Sequence, residues 1–145
     1  MAQEISSLPW DSPEFYHQAH AVAAEHVKFV EHKGKRILTT DCVGADLKLL
    51  KAIAAECFHV VSSHPPKSVR TLIDVAGAEF QSESVKIGSE LAAKNRPYVV
   101  RGAVLGVKGL RYFAFQTIIR FSNRPMKLFE DRAQALDWLA EDDRE

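Results

Sequence analysis

The stretch His26-Val27-Lys28-Phe29-Val30-Glu31-His32-Lys33-Gly34-Lys35-Arg36-Ile37-Leu38-Thr39-Thr40-Asp41 decides the architecture. Val27, Phe29 and Glu31 alternate with Lys28, Val30 and His32, the two-residue period of a strand with one buried face. Lys33-Gly34-Lys35 interrupts the pattern and Arg36 to Asp41 resumes it. That is a β-hairpin signal, with the glycine supplying the positive φ that such a turn commonly needs. Beyond Gly44 the period changes: Leu47, Leu50, Ile53, Ala54, Cys57 and Val61 recur at three and four, which predicts an amphipathic helix over 46–63, ended by His64-Pro65-Pro66. A nearly continuous apolar strand follows at 69–76, then a helix over 82–95 carrying Val85, Ile87 and Leu91, and a strand over 98–107. Gly109 opens a helix through Phe121, 126–129 is a last strand, and Asp131-Arg132-Ala133-Gln134 is a capping-box-like start for a helix through Ala140. Strands that alternate with helices pair in parallel through crossovers.

Upstream of the hairpin, Ser12-Pro13-Glu14 reads as a helix start: a hydroxyl N-cap, a proline tolerated in the first turn and an acid facing the positive end of the dipole. Phe15, Ala19, Val22 and Ala23 give that helix one apolar stripe, expected to dock on the sheet or on a second subunit. The expected fold is thus α/β: an N-terminal β-hairpin, then parallel strands with helical crossovers in one mixed sheet, plus an extra N-terminal helix. Residues 1–11 are expected to form a flexible N-terminus and 12–145 a single domain.

Composition narrows the function. A chain of 145 residues buries roughly two thirds of its unfolded surface, enough for a core without disulfides. Nineteen basic residues balance nineteen acidic ones, so no net field draws it to nucleic acid, and none is expected as a partner. Two cysteines, Cys42 and Cys57, suit a reducing compartment. Residues 1–9 have no basic segment followed by an apolar run, and no stretch approaches the ~20 apolar residues of a membrane span. The expected location is cytoplasmic.

Candidate chemistry is sparse. His17 and His20 lie three apart on one helical face, but no second pair completes a metal site, so no metal is expected. Cys42 sits where a strand hands over to a helix, a place that can lower a thiol pKa, yet no histidine is nearby in sequence and a core position is favoured. Gly102, Gly106 and Gly109 lack dinucleotide-loop spacing, and neither a P-loop nor a nucleophile elbow is present. Gly106-Val107-Lys108-Gly109 matches the G-x-x-G of some RNA-binding domains only superficially. It reads as a tight strand-to-helix turn, where Lys108, Arg111 and free N–H groups offer a weak anion site. No catalytic residue and no cofactor is expected.

The helix from Gly109 carries apolar residues on two arcs. Leu110, Phe113, Ala114, Thr117, Ile118 and Phe121 form a broad face suited to the sheet. At 100° per residue, Tyr112, Phe115 and Ile119 fall on a second arc bounded by Arg111, Gln116 and Arg120. A helix apolar on two sides is covered by another helix of its own chain, or it meets a partner, a ligand or a membrane.

Several ordered segments, namely Val27 to Leu38, Asn95-Arg96-Pro97-Tyr98-Val99, Ala103-Val104-Leu105-Gly106-Val107 and Phe129 to Leu139, together resemble the STAS/SEC14-type, SpoIIAA-like small proteins. The resemblance runs from about His26 to the end and implies a mixed sheet flanked by helices with no chemistry of its own. In anti-sigma-factor antagonists of this wider fold, a hydroxyl residue in an Asp-Ser-Ser-Gly-like segment is phosphorylated. The corresponding residues here are Asp74-Val75-Ala76-Gly77, so the resemblance implies a module without that switch. Ser82 and Ser84 read as helix-start hydroxyls instead. The expectation is a non-enzymatic STAS-like binding or regulatory module. The alternative is a protein that binds a small apolar ligand or associates peripherally with membranes. Candidate surface residues are Asp74, Val75, Ala76, Gly77, Lys108, Arg111, Tyr112, Phe115, Ile119 and Arg120. Candidate partners are a protein, a small apolar ligand, a transient membrane contact through Tyr112, Phe115 and Ile119, or a second copy in a homodimer.

Overall fold

Five strands form one mixed sheet in the order in which they occur in the chain: β1 (Val27–His32), β2 (Lys35–Asp41), β3 (Val69–Asp74), β4 (Val99–Leu105) and β5 (Met126–Phe129). The computed structural model describes residues 8–109, 111–122 and 126–142. β1 and β2 pair antiparallel through the Lys33-Gly34 turn, Gly34 at φ +82°, and every later pairing is parallel. The helices are α1 (Pro13–Ala23), α2 (Leu47–Ser62), α3 (Ser82–Asn95), α4 (Arg111–Ser122) and α5 (Arg132–Leu139). Side-chain caps start several of them. Ser12 accepts from Phe15 N–H, Asp46 from Leu49 N–H and Asp131 from Ala133 N–H, each satisfying a donor that the first turn leaves unpaired. At the start of α3, Ser84 Oγ accepts from Gln81 N–H at 2.8 Å, so Ser84 is a helix-start hydroxyl.

Sequential parallel strands joined by right-handed crossovers put α2, α3 and α4 on the same side of the sheet. On that front face Leu38, Ile73 and Val99 pack with Ile53, Ala54, Cys57 and Val61 of α2 and Ile87 of α3. The back face is covered by α5: Ile37, Leu72, Ala103 and Leu105 pack against Ala135 and Leu139. A register shift near Val69/Arg70 lets Val99 join the front cluster while Ala103 and Leu105 serve the back.

Three expectations need correction. Residues 8–11 belong to the domain: Trp10 is 5% exposed, its Nε1–H donates to Glu90 Oε1 at 2.8 Å, and its ring meets Phe58 edge-on. An isolated tryptophan carries no periodicity, so the sequence did not reveal its docking. α1 packs on α2, through Phe15, Ala19 and Ala23 and a 2.6 Å contact of His20 Nδ1 with the buried Glu56, while Val22 is exposed. Finally, α4 is rolled relative to the expected arcs. Phe113 is 70% exposed and Thr117 is exposed, whereas Arg111 and Phe115 turn inward. A helix apolar all round has no dominant moment to fix its rotation, so its neighbours decide it. Leu110 and the side chains of Ala114, Ile118 and Phe121 lie outside the described residues.

Candidate functional site

The front face is not filled. Between the sheet and α2, α3 and α4 lies a cavity of about 110 Å³. Its floor is a row across the sheet, Thr40 on β2, Ile73 on β3 and Val104 on β4, placed abreast by the parallel register Thr40↔Ile73↔Val104 and extended by Met126. Leu50, Ile53 and Ala54 of α2 form one wall, and Phe115 of α4 another. The roof is α3, which lines the cavity at Ser84, Val85, Ile87, Gly88, Leu91, Ala92 and Asn95, the spacing of one helical face. Gly88 in the middle of that face contributes no side chain. From Ser84 to Asn95 the lining residues span roughly 16 Å of helix at 1.5 Å per residue.

Ala78, Glu79, Phe80 and Arg111 line the cavity toward the carboxyl ends of the parallel strands, where open α/β sheets place ligands. Arg111 Nη1 donates to Ala78 O at 2.8 Å and its guanidinium lies 5.1 Å from the centre of the Phe80 ring, tying α4 to the loop after β3. Glu79 accepts from Leu47 N–H at 2.8 Å and from Gln81 Nε2, tying that loop to α2 and α3. The strand-end loops are stitched further by Cys42 N–H to Asp74 O and Gly44 N–H to Ala76 O, both 2.8 Å. Gly106 is required there: at φ +87°, a Cβ on it would come within 2.5 Å of Ala76 N.

The candidate residues named from sequence divide between this cavity and the outside. Val75, Arg111 and Phe115 line it. The Asp74 carboxylate accepts from Ala76 N–H at 3.1 Å, Ala76 faces Gly106, and Gly77 is exposed beside Gly44. Lys108 and Arg120 are exposed and Ile119 is half-buried. Tyr112 is 44% exposed, with its hydroxyl accepting from Gln116 Nε2. Most of the lining, including Thr40, Gly88 and Asn95, was not picked out by sequence reasoning. The one available signal was Asn95 itself, a polar residue on the inward stripe of Gly88 and Leu91.

Cys42 lines the cavity as a buried thiol. Burial first, and then the nearby Cys57, Asp41 and Asp74, push its pKa up to about 12, the opposite of an activated nucleophile. Cys57 is also buried and in no disulfide, contacted by Thr40 Oγ1 at 3.6 Å and Asn95 Nδ2 at 3.8 Å. Among the described residues no three His, Cys, Asp or Glu side chains gather as a metal site, and no helix is long and apolar enough to cross a membrane.

No protein-family model matches the chain. No curated protein matches it either. Among solved structures, it is similar to an uncharacterised protein of the DUF3478 family with a SpoIIAA-like fold from Shewanella loihica PV-4. The TM-score is 0.64 and the identity 20%, over 79% of this chain and 92% of that one. The likeness is one of fold: a five-stranded mixed sheet with one antiparallel pair, flanked by helices.

Proposed function

We propose that this SpoIIAA-like domain is a non-enzymatic binding module whose site is the front-face cavity, occupied by a small apolar ligand. The observation that carries the reading is the cavity's lining, which is almost entirely aliphatic and aromatic. Protein interiors are close-packed, and an empty void of about 110 Å³ costs on the order of 2–3 kcal/mol. A ligand that fills it offsets that cost. A void of about 150 Å³ takes up benzene, so on the same scale this space suits a molecule of roughly four or five non-hydrogen atoms. A large lipid does not fit. The protonated Cys42 thiol and the absence of hydroxyls at Val75 and Ala76 support a module without covalent chemistry or the phosphorylation switch of its fold relatives.

The test is thermal unfolding with a panel of neutral apolar compounds of that size. At a hundredfold excess over Kd, a compound that binds raises Tm by roughly 5–10 °C. Ala54→Leu, which fills the cavity, abolishes the shift. A panel that leaves Tm unmoved removes the reading.

A second reading rests on the outer face of α4, where Phe113 and Tyr112 stand exposed side by side, their rings edge to face. It is a transient contact with a membrane surface, in which the exposed Arg120 meets anionic head groups. Flotation of the chain with anionic liposomes, and its loss in Phe113→Asp, is the expected result. Failure of the parent chain to float eliminates it.

A further inference from the structure

One atom of the cavity is out of keeping with the rest. Asn95 closes α3 with only 2% of its surface exposed, and its Oδ1, among the described residues, is a buried side-chain oxygen with no hydrogen-bond partner. Its Nδ2 has the long contact to Cys57 Sγ at 3.8 Å. Buried acceptors are almost always satisfied, and one left alone points to a missing donor. Asn95, the last residue of α3, lines the cavity at the opposite end of that helix from Phe80.

We infer that the cavity selects a slender aliphatic alcohol, an apolar chain whose leading hydroxyl donates to Asn95 Oδ1. The inference rests on the cavity being the binding site and adds the chemistry of what enters it. Three features exclude other classes. Among the described residues no carboxylate lines the cavity beside Asn95, so an ammonium donor would be buried without a counter-charge. Among them no cation lines it there to receive a carboxylate, and Arg111 is engaged with Ala78 O. A volume of about 110 Å³ excludes a fused ring. An alkane leaves Oδ1 unpaired, and an ether brings a second acceptor against it.

The experiment is calorimetric titration of the intact chain with three probes of equal heavy-atom count: 1-butanol, methyl propyl ether and pentane. The alcohol is expected to bind at least tenfold more tightly than either of the others. Asn95→Leu is expected to bring the three within about twofold of one another by weakening the alcohol alone. Equal binding of alcohol and ether by the parent chain overturns donor selection while leaving the cavity as the site. Binding of none of the three overturns the cavity reading as well. Because the ranking is measured on the parent chain, the outcome stands even if Asn95→Leu fails to fold.

Discussion

The two faces of the sheet are built by opposite rules. On the back, the short helix α5 is held by polar bonds of fixed direction. Arg70, 6% exposed, donates from Nη1 to Leu139 O and to Glu141 O at 2.9 Å. Its register mate Arg101 donates to Trp138 O at 2.6 Å and to Asp142 O at 3.3 Å. Two neighbouring guanidinium groups are tolerated because both point into the carbonyl end of a helix, the negative end of its dipole. Beneath them Ile37, Ala103, Ala135 and Leu139 have no measurable exposure. On the front, three longer helices cover the sheet mainly through apolar contact, and the cover leaves a cavity lined by Asn95, whose Oδ1 is unpaired. A face fixed by directed bonds can close completely. The front face leaves space, which on the proposed reading admits a ligand.

Four measurements would break or sharpen that contrast. The largest effect concerns the dryness of the front. With its pKa at about 12 against an ordinary 9.0, Cys42 alkylates at pH 8 on the order of a thousandfold more slowly in the native chain than in urea. A raised pKa also has a sign for stability: the contribution of Cys42 is complete below the unfolded value and is lost as pH climbs from about 9 towards 12. Alkylation at the rate of a free thiol would mean that the front face is open to water.

Next, Arg70→Met removes two charge-assisted bonds from the back face and is expected to lower unfolding free energy by about 3 kcal/mol in urea titrations. A loss below about 1 kcal/mol would show that apolar contact alone holds α5. The third measurement places one substitution on both faces. Ala103→Leu has no room and costs about 1–3 kcal/mol by overpacking, whereas Ala54→Leu enters the cavity and raises stability by about 1–2 kcal/mol. Equal costs would mean that the two faces are packed alike. The smallest effect is at the rim of the back face, where His32 and Lys33 hydrogen-bond the exposed Asp137 carboxylate and hold its pKa below the usual range. Its contribution is present above the unfolded carboxylate value and lost as pH falls through the lowered one. Asp137→Asn should therefore be slightly less stable than the parent at pH 7 and converge with it as pH falls through the lowered value, flattening the acid limb.

Much of this contrast was legible before any coordinates. The hairpin around Gly34, α3 at Ser82–Asn95 and β5 at Met126–Phe129 followed from period and turn chemistry, because each is set by residues close together in the chain. So did the caps at Ser12 and Asp131, which act over three and two residues. The resemblance of the segments from Val27 onward agreed with the fold that the structure shows. The cavity was not legible. Thr40, Ile73, Gly88, Asn95, Val104 and Phe115 come from five different elements, and apart from Asn95 none is unusual where it stands. The roll of α4 was misjudged for the related reason that its own apolar residues surround it.

By itself, then, the sequence determined which segments are strands and helices, their order, and the loss of hydroxyls at Val75 and Ala76. Those properties are local, written in spacing and in single side chains. Only the tertiary structure decided which side of α4 turns inward, that Trp10 joins the core, that Arg70 and Arg101 clamp α5, and that the front face keeps a cavity lined by Asn95. Each of these depends on how volumes from distant segments meet. A void is the one feature of a protein that no residue contributes, so no residue could announce it.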